Sequence, residues 1–276
     1  MLYAQVKICN TAIDSKIMDK DNHEMYKNLL KEKLRRREAV AGCMIQGFHP
    51  ALIEICGLAG FDFVFIDAEH SALTPSHCEE LVRAAEVRHT IPLIRLPNAE
   101  PDTILRFMDI GAMGIILPGV STKEETEKAI RAIKYYPQGN RGLNAVRASD
   151  YGMTKPLSEY VMDANKETVV IAIIENTIAI ENLAEILAVD GLDGVILGTS
   201  DLSQSLGVPG QGQHPSVQQA YHRFVNEGLK SGKAIGTVVR PGETVKEYLD
   251  AGLAILITSA YSLFGKEAKR FVGEFK

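Results

Sequence analysis

Eight short apolar runs, amphipathic stretches between them and no tight hairpin anywhere in 276 residues predict a single parallel (β/α)8 barrel of the TIM type. The first run is AGCMIQG (41–47), followed by DFVFID (62–67), IPLIRL (91–96) and AMGIIL (112–117). The second four are VVIAIIE (169–175), DGVILG (193–198), AIGTVV (234–239) and LAILIT (253–258). Each is apolar at successive positions, which suits a strand covered on both faces rather than a half-exposed antiparallel one. Helical periodicity fills the gaps at 76–88, 101–112, 122–136 and 178–191, and a short amphipathic helix over 27–38 leads in. Gly111, Gly191 and Gly252 follow helical stretches where a left-handed cap is expected. Residues 1–26 carry no firm period and read as an N-terminal extension, which leaves 27–276 as the barrel domain. No GxGxxG follows the first strand, which disfavours an open dinucleotide-binding sheet. Residues 135–167 form a connection too long for a simple turn, and its tyrosines and arginines suggest an ordered functional or intersubunit segment.

Composition narrows the class. Hydrophobic residues are 46% and charged residues 24%, the balance of a globular protein with a substantial core. No apolar run reaches the roughly 18 residues of a membrane span. The N-terminal segment is too polar for a secretory signal, and a net charge of −5 gives no reason to expect nucleic acid. The basic run Lys31, Lys33, Arg35, Arg36 and Arg37 is interleaved with Glu32 and Glu38 and reads as a solvated helix face. Cys9, Cys43, Cys56 and Cys78 show no CxxC spacing and no histidine-cysteine cluster, so a reduced, cytoplasmic protein is expected.

A barrel of this type works at the C-terminal ends of its strands, so the polar residues there are the candidates. The second run leads into Asp67-Ala68-Glu69-His70, and the third carries Arg95. The fifth finishes on Glu175, and the sixth on Gly198-Thr199-Ser200-Asp201 at the mouth of a helix. Glu175 and Asp201 offer hard oxygen ligands suited to Mg2+ or Mn2+. Either could instead serve structure, Glu175 by capping a helix or pairing an arginine and Asp201 as an N-cap. The N–H groups of that helix start are also a seat for a substrate carboxylate. Arg95 either ties the barrel's layers by a salt bridge or reaches the rim to hold a developing enolate oxygen. His70, beside acidic neighbours, is the candidate general base, and His49 a weaker candidate for lining the pocket. No lysine ends a strand, since Lys233 precedes the seventh run, and a Schiff-base aldolase is therefore disfavoured.

At IDAEHSALT the chain resembles the class II pyruvate aldolases of the HpcH/HpaI aldolase/citrate lyase family. The likeness spans about residues 27–270 through AGFDFVFIDAEH, IRLPNAEPDTILRFMDIGAMGIILPGV, YPQGNRGLNA, IENTIAIENL and DGVILGTSDLSQSLG. It implies a metal-dependent aldolase that splits a 2-oxo-4-hydroxy acid into pyruvate and an aldehyde, through a pyruvate enolate held by Mg2+, Mn2+ or Co2+. By the same resemblance Glu175 and Asp201 match the metal ligands, and Arg95 the arginine on the enolate oxygen. His70, supported by Asp67, matches the acid–base dyad, and the backbone around Gly198, Thr199, Ser200 and Asp201 the seat of the pyruvate carboxylate. Asp109 matches a carboxylate that reaches a neighbouring subunit's site. The implied partners are small 2-oxo acids and aldehydes and further copies of the chain, a homo-oligomer of hexameric form in which the C-terminal helix is exchanged.

Three positions depart from the family pattern. Ile173 stands where glutamine is frequent two residues before the metal-binding glutamate, Thr199 where proline is usual, and Tyr136-Pro137 where the long loop has two prolines. They bear on aldehyde choice and on the metal's surroundings rather than on the reaction class. Two rival readings stand beside the aldolase: another pyruvate-enolate reaction, such as oxaloacetate decarboxylation or macrophomate-synthase-like chemistry, and a non-catalytic ligand-binding barrel.

Overall fold

A computed structural model of the chain describes residues 27–240 and 242–275. The expected extension over 1–26, and Cys9 within it, lie outside the described residues. Eight strands close a barrel in sequence order: β1 (Val40–Ile45), β2 (Phe63–Asp67), β3 (Ile91–Arg95), β4 (Gly114–Leu117), β5 (Val169–Ile174), β6 (Gly194–Leu197), β7 (Ala234–Val238) and β8 (Ile255–Ser259). Every neighbouring pair is parallel, including β8 against β1. Six lie wholly within the apolar runs, and β1 and β8 each overrun theirs by one residue.

Strand alternation sorts the side chains into two cores. Phe63, Phe65, Ile91, Leu93, Ile116, Val169, Ile171, Ile173, Ile196, Ile255 and Ile257 fill the barrel interior. Val64, Ile66, Ile94, Ile115, Val170, Ala172, Ile174, Val195 and Ile235 pack outward against the helices. The interior is crowded enough to require glycine. A Cβ on Gly42 would strike the ring of Phe63, and one on Gly236 the backbone carbonyl of Ile255.

The lead-in helix, Leu29–Arg36, inserts Leu30 and Leu34 into the interior core from the N-terminal end of the strands. This placement corrects the reading of its basic run as wholly solvated, because Lys31 is buried. Its ammonium donates to the Thr168 carbonyl and pairs with Asp193 at 3.0 Å. Lys233 likewise lies at this end, its Nζ donating to the Leu192 carbonyl at 2.8 Å. Gly111, Gly191 and Gly252 take φ of 99°, 85° and 86°, the left-handed geometry expected after each helix. The long connection is ordered and contains the helix Leu157–Glu167, which the sequence reading passed over. Only Tyr160, Ala164 and Asn165 of it are buried, too thin an apolar stripe to stand out among Pro, Gly and Asn. The amphipathic stretch 178–191 divides into Thr177–Glu181 and Leu183–Leu187, and the C-terminal helix is Ala260–Gly273. Among the described residues no helix is long and apolar enough to cross a membrane.

Candidate active site

The inward parity of the strands carries the polar residues to one rim. On β2 the series Phe63, Phe65 continues to Asp67, and on β3 Ile91, Leu93 continues to Arg95. On β5 Val169, Ile171, Ile173 continues to Glu175, one residue past the strand. Apolar side chains therefore fill the barrel's depth, and the last inward positions of these three strands are polar and lie at the C-terminal end. His70, Arg95, Glu175, Gly198, Thr199, Ser200 and Asp201 all line one cleft there, of about 760 Å³.

Asp67 and Arg95 are register partners on adjacent strands, both buried. Arg95 Nε donates to Asp67 Oδ1 at 2.9 Å and Nη2 to Oδ2 at 2.6 Å, a two-point fork. Asp67 Oδ1 also accepts from the backbone N–H groups of Glu69 and His70, each at 3.1 Å. Burial by itself would raise this carboxyl, but the guanidinium and the two N–H groups outweigh it and hold Asp67 below the usual carboxylate range. The carboxylate is thus fully engaged. The expected contact between Asp67 and the His70 imidazole is not formed, and Asp67 instead positions His70 through its backbone. The imidazole is more than half exposed, with Nε2 3.8 Å from Glu69 Oε2.

Arg95 makes the salt bridge weighed for it and also lines the cleft at the rim. One edge of the guanidinium ties β2 to β3, while Nη1 lies 3.2 Å from Glu69 Oε2. Glu69 was missed as a site residue, although it continues the inward parity of Phe63, Phe65 and Asp67 by one more step. Burial pushes its carboxyl upward against the pull of Arg95 and His70. Its buried Oε2 has the nearby charge of Arg95 but no donor in hydrogen-bonding line. Glu175 Oε1 accepts from the Gly119 N–H at 2.6 Å. Burial raises the Glu175 carboxyl as well, and the charges of Glu69 and Asp201 add to the rise. Three carboxylates that repel one another around a cleft, one with an orphaned oxygen, make a place where a cation fits. Among the described residues no three acidic, histidine or cysteine side chains form a ready cage. An ion held by Glu175 and Asp201 would complete its shell with water and substrate.

The helix Thr199–Ser205 starts at the β6 end with Gly198 as its N-cap, so its first N–H groups have no intrahelical acceptor and face the same cleft. Asp109 is elsewhere. It ends the helix Pro101–Asp109, away from the cleft, and accepts from Arg141 Nη2 at 2.7 Å within its own chain. His49 does not line the cleft either, its Nε2 lying 3.2 Å from the Tyr261 hydroxyl.

The sequence profile of the HpcH/HpaI aldolase/citrate lyase family matches residues 41–259, the stretch from β1 through β8. The chain belongs to that family. Among its relatives is a 5-keto-4-deoxy-D-glucarate aldolase of Escherichia coli, 31% identical over 92% of this chain and 99% of its own. A crystal structure of an HpcH/HpaI aldolase/citrate lyase family protein from Burkholderia cenocepacia superposes with a TM-score of 0.84. It is 28% identical over 90% of this chain and 98% of its own. The citrate synthase SbnG superposes at 0.80, with 30% identity over 90% of this chain and 97% of its own. This member of the HpcH/HpaI family is therefore an enzyme of the lyase class, with its cleft where such barrels carry their chemistry.

Proposed function

We propose that the chain is a metal-dependent pyruvate aldolase that cleaves a 2-oxo-4-hydroxy acid to pyruvate and an aldehyde, and runs the reverse addition. The observation that carries this reading is the meeting of His70, Arg95, Glu175 and Asp201 in one cleft from four separate segments. Glu175 and Asp201 would hold Mg2+, Mn2+ or Co2+, which supplies Lewis-acid polarisation of the 2-oxo group when bound. The first-turn N–H groups of Thr199, Ser200 and Asp201, above Gly198, receive the pyruvate carboxylate. The Nη1 edge of Arg95 meets the oxygen on which negative charge develops, and Asp67 fixes that edge in place.

In cleavage, His70 takes the proton of the 4-hydroxyl through a water molecule. The C3–C4 bond breaks, its electron pair passes into the enolate of pyruvate, and the aldehyde departs. Protonation of C3 then completes pyruvate. In addition the same steps reverse, and His70 returns the proton to the new alkoxide. Asp67 is a positioning residue in this scheme and does not itself carry a proton, since its oxygens are committed to Arg95 and two backbone donors. Asp109 would act only in a neighbouring subunit's cleft, within the homohexamer that the family likeness implies.

Aldol addition of pyruvate to a panel of aldehydes, with and without chelator, tests the reading. Turnover that chelator abolishes and Mn2+ restores is expected, and turnover indifferent to chelator would overturn the metal's role. A second enolate reaction on the same groups is favoured by one finding, the 30% identity to a protein named citrate synthase. Condensation with a keto acid in place of an aldehyde would reveal it.

A further inference from the structure

The cleft is larger than pyruvate needs, and its far wall has a definite chemistry. On β7 the inward series Ala234, Gly236, Val238 continues to Arg240, by the same parity that delivers Asp67, Arg95 and Glu175. Arg240 and Glu243 both line the cleft and form a two-point ion pair, Nε to Oε2 at 3.0 Å and Nη2 to Oε1 at 2.7 Å. Arg240 Nη1 also donates to the Gly212 carbonyl at 3.3 Å, which ties the pair to the loop after the Thr199–Ser205 helix. Glu243 accepts in addition from the Tyr248 hydroxyl and, at 3.4 Å, from the Gln213 amide. The wall is therefore rich in donors and acceptors while its only arginine is neutralised.

We propose that this Arg240–Glu243 wall selects an uncharged, hydroxylated aldehyde as the second reactant; the inference rests on the aldolase reading above. A guanidinium has five N–H groups, so one remains uncommitted after these three contacts and the hydrogen bond with Tyr248. A hydroxyl placed at the wall accepts from the remaining Arg240 N–H and donates to Glu243 in place of the long Gln213 contact, gaining from both members of the pair. A carboxylate there gains from Arg240 but is repelled by Glu243 at comparable range, which works against acid semialdehydes. An apolar chain desolvates the pair and leaves the free N–H of Arg240 without an acceptor. One hydrogen-bonded hydroxyl of this kind corresponds to about a tenfold preference.

The test compares kcat/KM for addition of pyruvate to glyceraldehyde, succinic semialdehyde and propanal, using the full-length enzyme with Mn2+. Glyceraldehyde is expected to lead both others by about tenfold or more. Glu243→Gln keeps the shape but removes the opposing charge, and should move the semialdehyde-to-glyceraldehyde ratio about tenfold toward the acid. Gln213→Ala, on the exposed loop, frees that acceptor site on Glu243; it should raise the glyceraldehyde preference about threefold and serves if Glu243→Gln fails to fold. Ratios within one preparation do not depend on the fraction folded. A wild-type preference for the semialdehyde or for propanal would overturn the proposal, as would a Glu243→Gln ratio within twofold of wild type. Exchange of the pyruvate methyl protons without aldehyde, measured on the wild type, separates the two levels. Exchange with no choice among aldehydes defeats the wall alone, whereas absence of both exchange and addition defeats the aldolase reading as well.

Discussion

Asp67 and Arg95 stand side by side at the ends of β2 and β3, and the carboxylate grips one edge of the guanidinium at 2.9 and 2.6 Å while Nη1 lies 3.2 Å from Glu69. A buried charge held in this way cannot turn, so in the proposed aldolase the N–H groups meant for an enolate oxygen would be fixed before substrate arrives. That is how an oxyanion donor avoids reorganisation during reaction.

Arg95→Lys keeps the charge and loses the fork. Pyruvate methyl proton exchange should fall by roughly 10²–10³-fold, the usual cost of an oxyanion donor. Asp67→Asn removes the grip and leaves the arginine buried without its counter-charge, which should cost about 3–5 kcal/mol of stability in urea unfolding. Exchange in Arg95→Lys within about threefold of wild type would show that the arginine is structural.

Metal loading has a readout independent of turnover. An ion bound to the folded chain alone stabilises it by about 2.7 kcal/mol at a hundred times its Kd. Mn2+ should therefore raise the wild-type Tm, and chelator should reverse the rise. Glu175→Gln and Asp201→Asn should fold yet show little or no shift with Mn2+. An equal shift in all three proteins would place the ion elsewhere.

His70→Ala should damage two reactions unequally. Retro-aldol cleavage needs the 4-hydroxyl deprotonated and should drop by about 10²–10⁴, the common worth of general acid–base catalysis. Oxaloacetate decarboxylation has no such hydroxyl and should retain most of its rate. Equal losses, with circular dichroism unchanged, would mean that His70 organises the site rather than moving the proton.

Lys134 predicts a pH dependence far from the cleft. Its Nζ donates to the carbonyls of Asn165 and Thr168 at 2.8 and 2.9 Å beneath the barrel. Burial, and then the charge of Lys31, bring its pKa from 10.5 down to about 7. Between those values the unfolded chain binds a proton that the folded chain does not, so this residue's contribution to stability rises with pH across the window. Below about 7 both states are charged and its penalty is constant. The urea midpoint of wild type relative to Lys134→Met should accordingly climb from pH 7 to pH 10. A constant difference would show that the amine stays charged in the fold.

Much of the molecule was legible in the residue order, because the signals are local. Eight doubly apolar runs, with helical periodicity in four of the gaps between them and glycine after three helical stretches, specify parallel strands and right-handed crossovers without reference to any contact. The positions of Arg95, Glu175 and Asp201 at or just past strand ends were enough to nominate them. Local pattern could not reveal which charges meet. Asp67 was expected to hold the His70 ring, but the barrel's register sets it against Arg95, and the stronger charge takes the carboxylate. Arg240 joins the pocket, and Glu69 meets Arg95 beside it, only when strand parity is followed past the last hydrogen bond. Lys31 is polar in sequence and buried in the fold, because the helix that carries it turns Leu30 and Leu34 into the barrel and takes the lysine with them. Parity and periodicity are properties of a few consecutive residues, and the sequence by itself determined them. Charge pairing across strands depends on register and closure, which only the folded barrel decided.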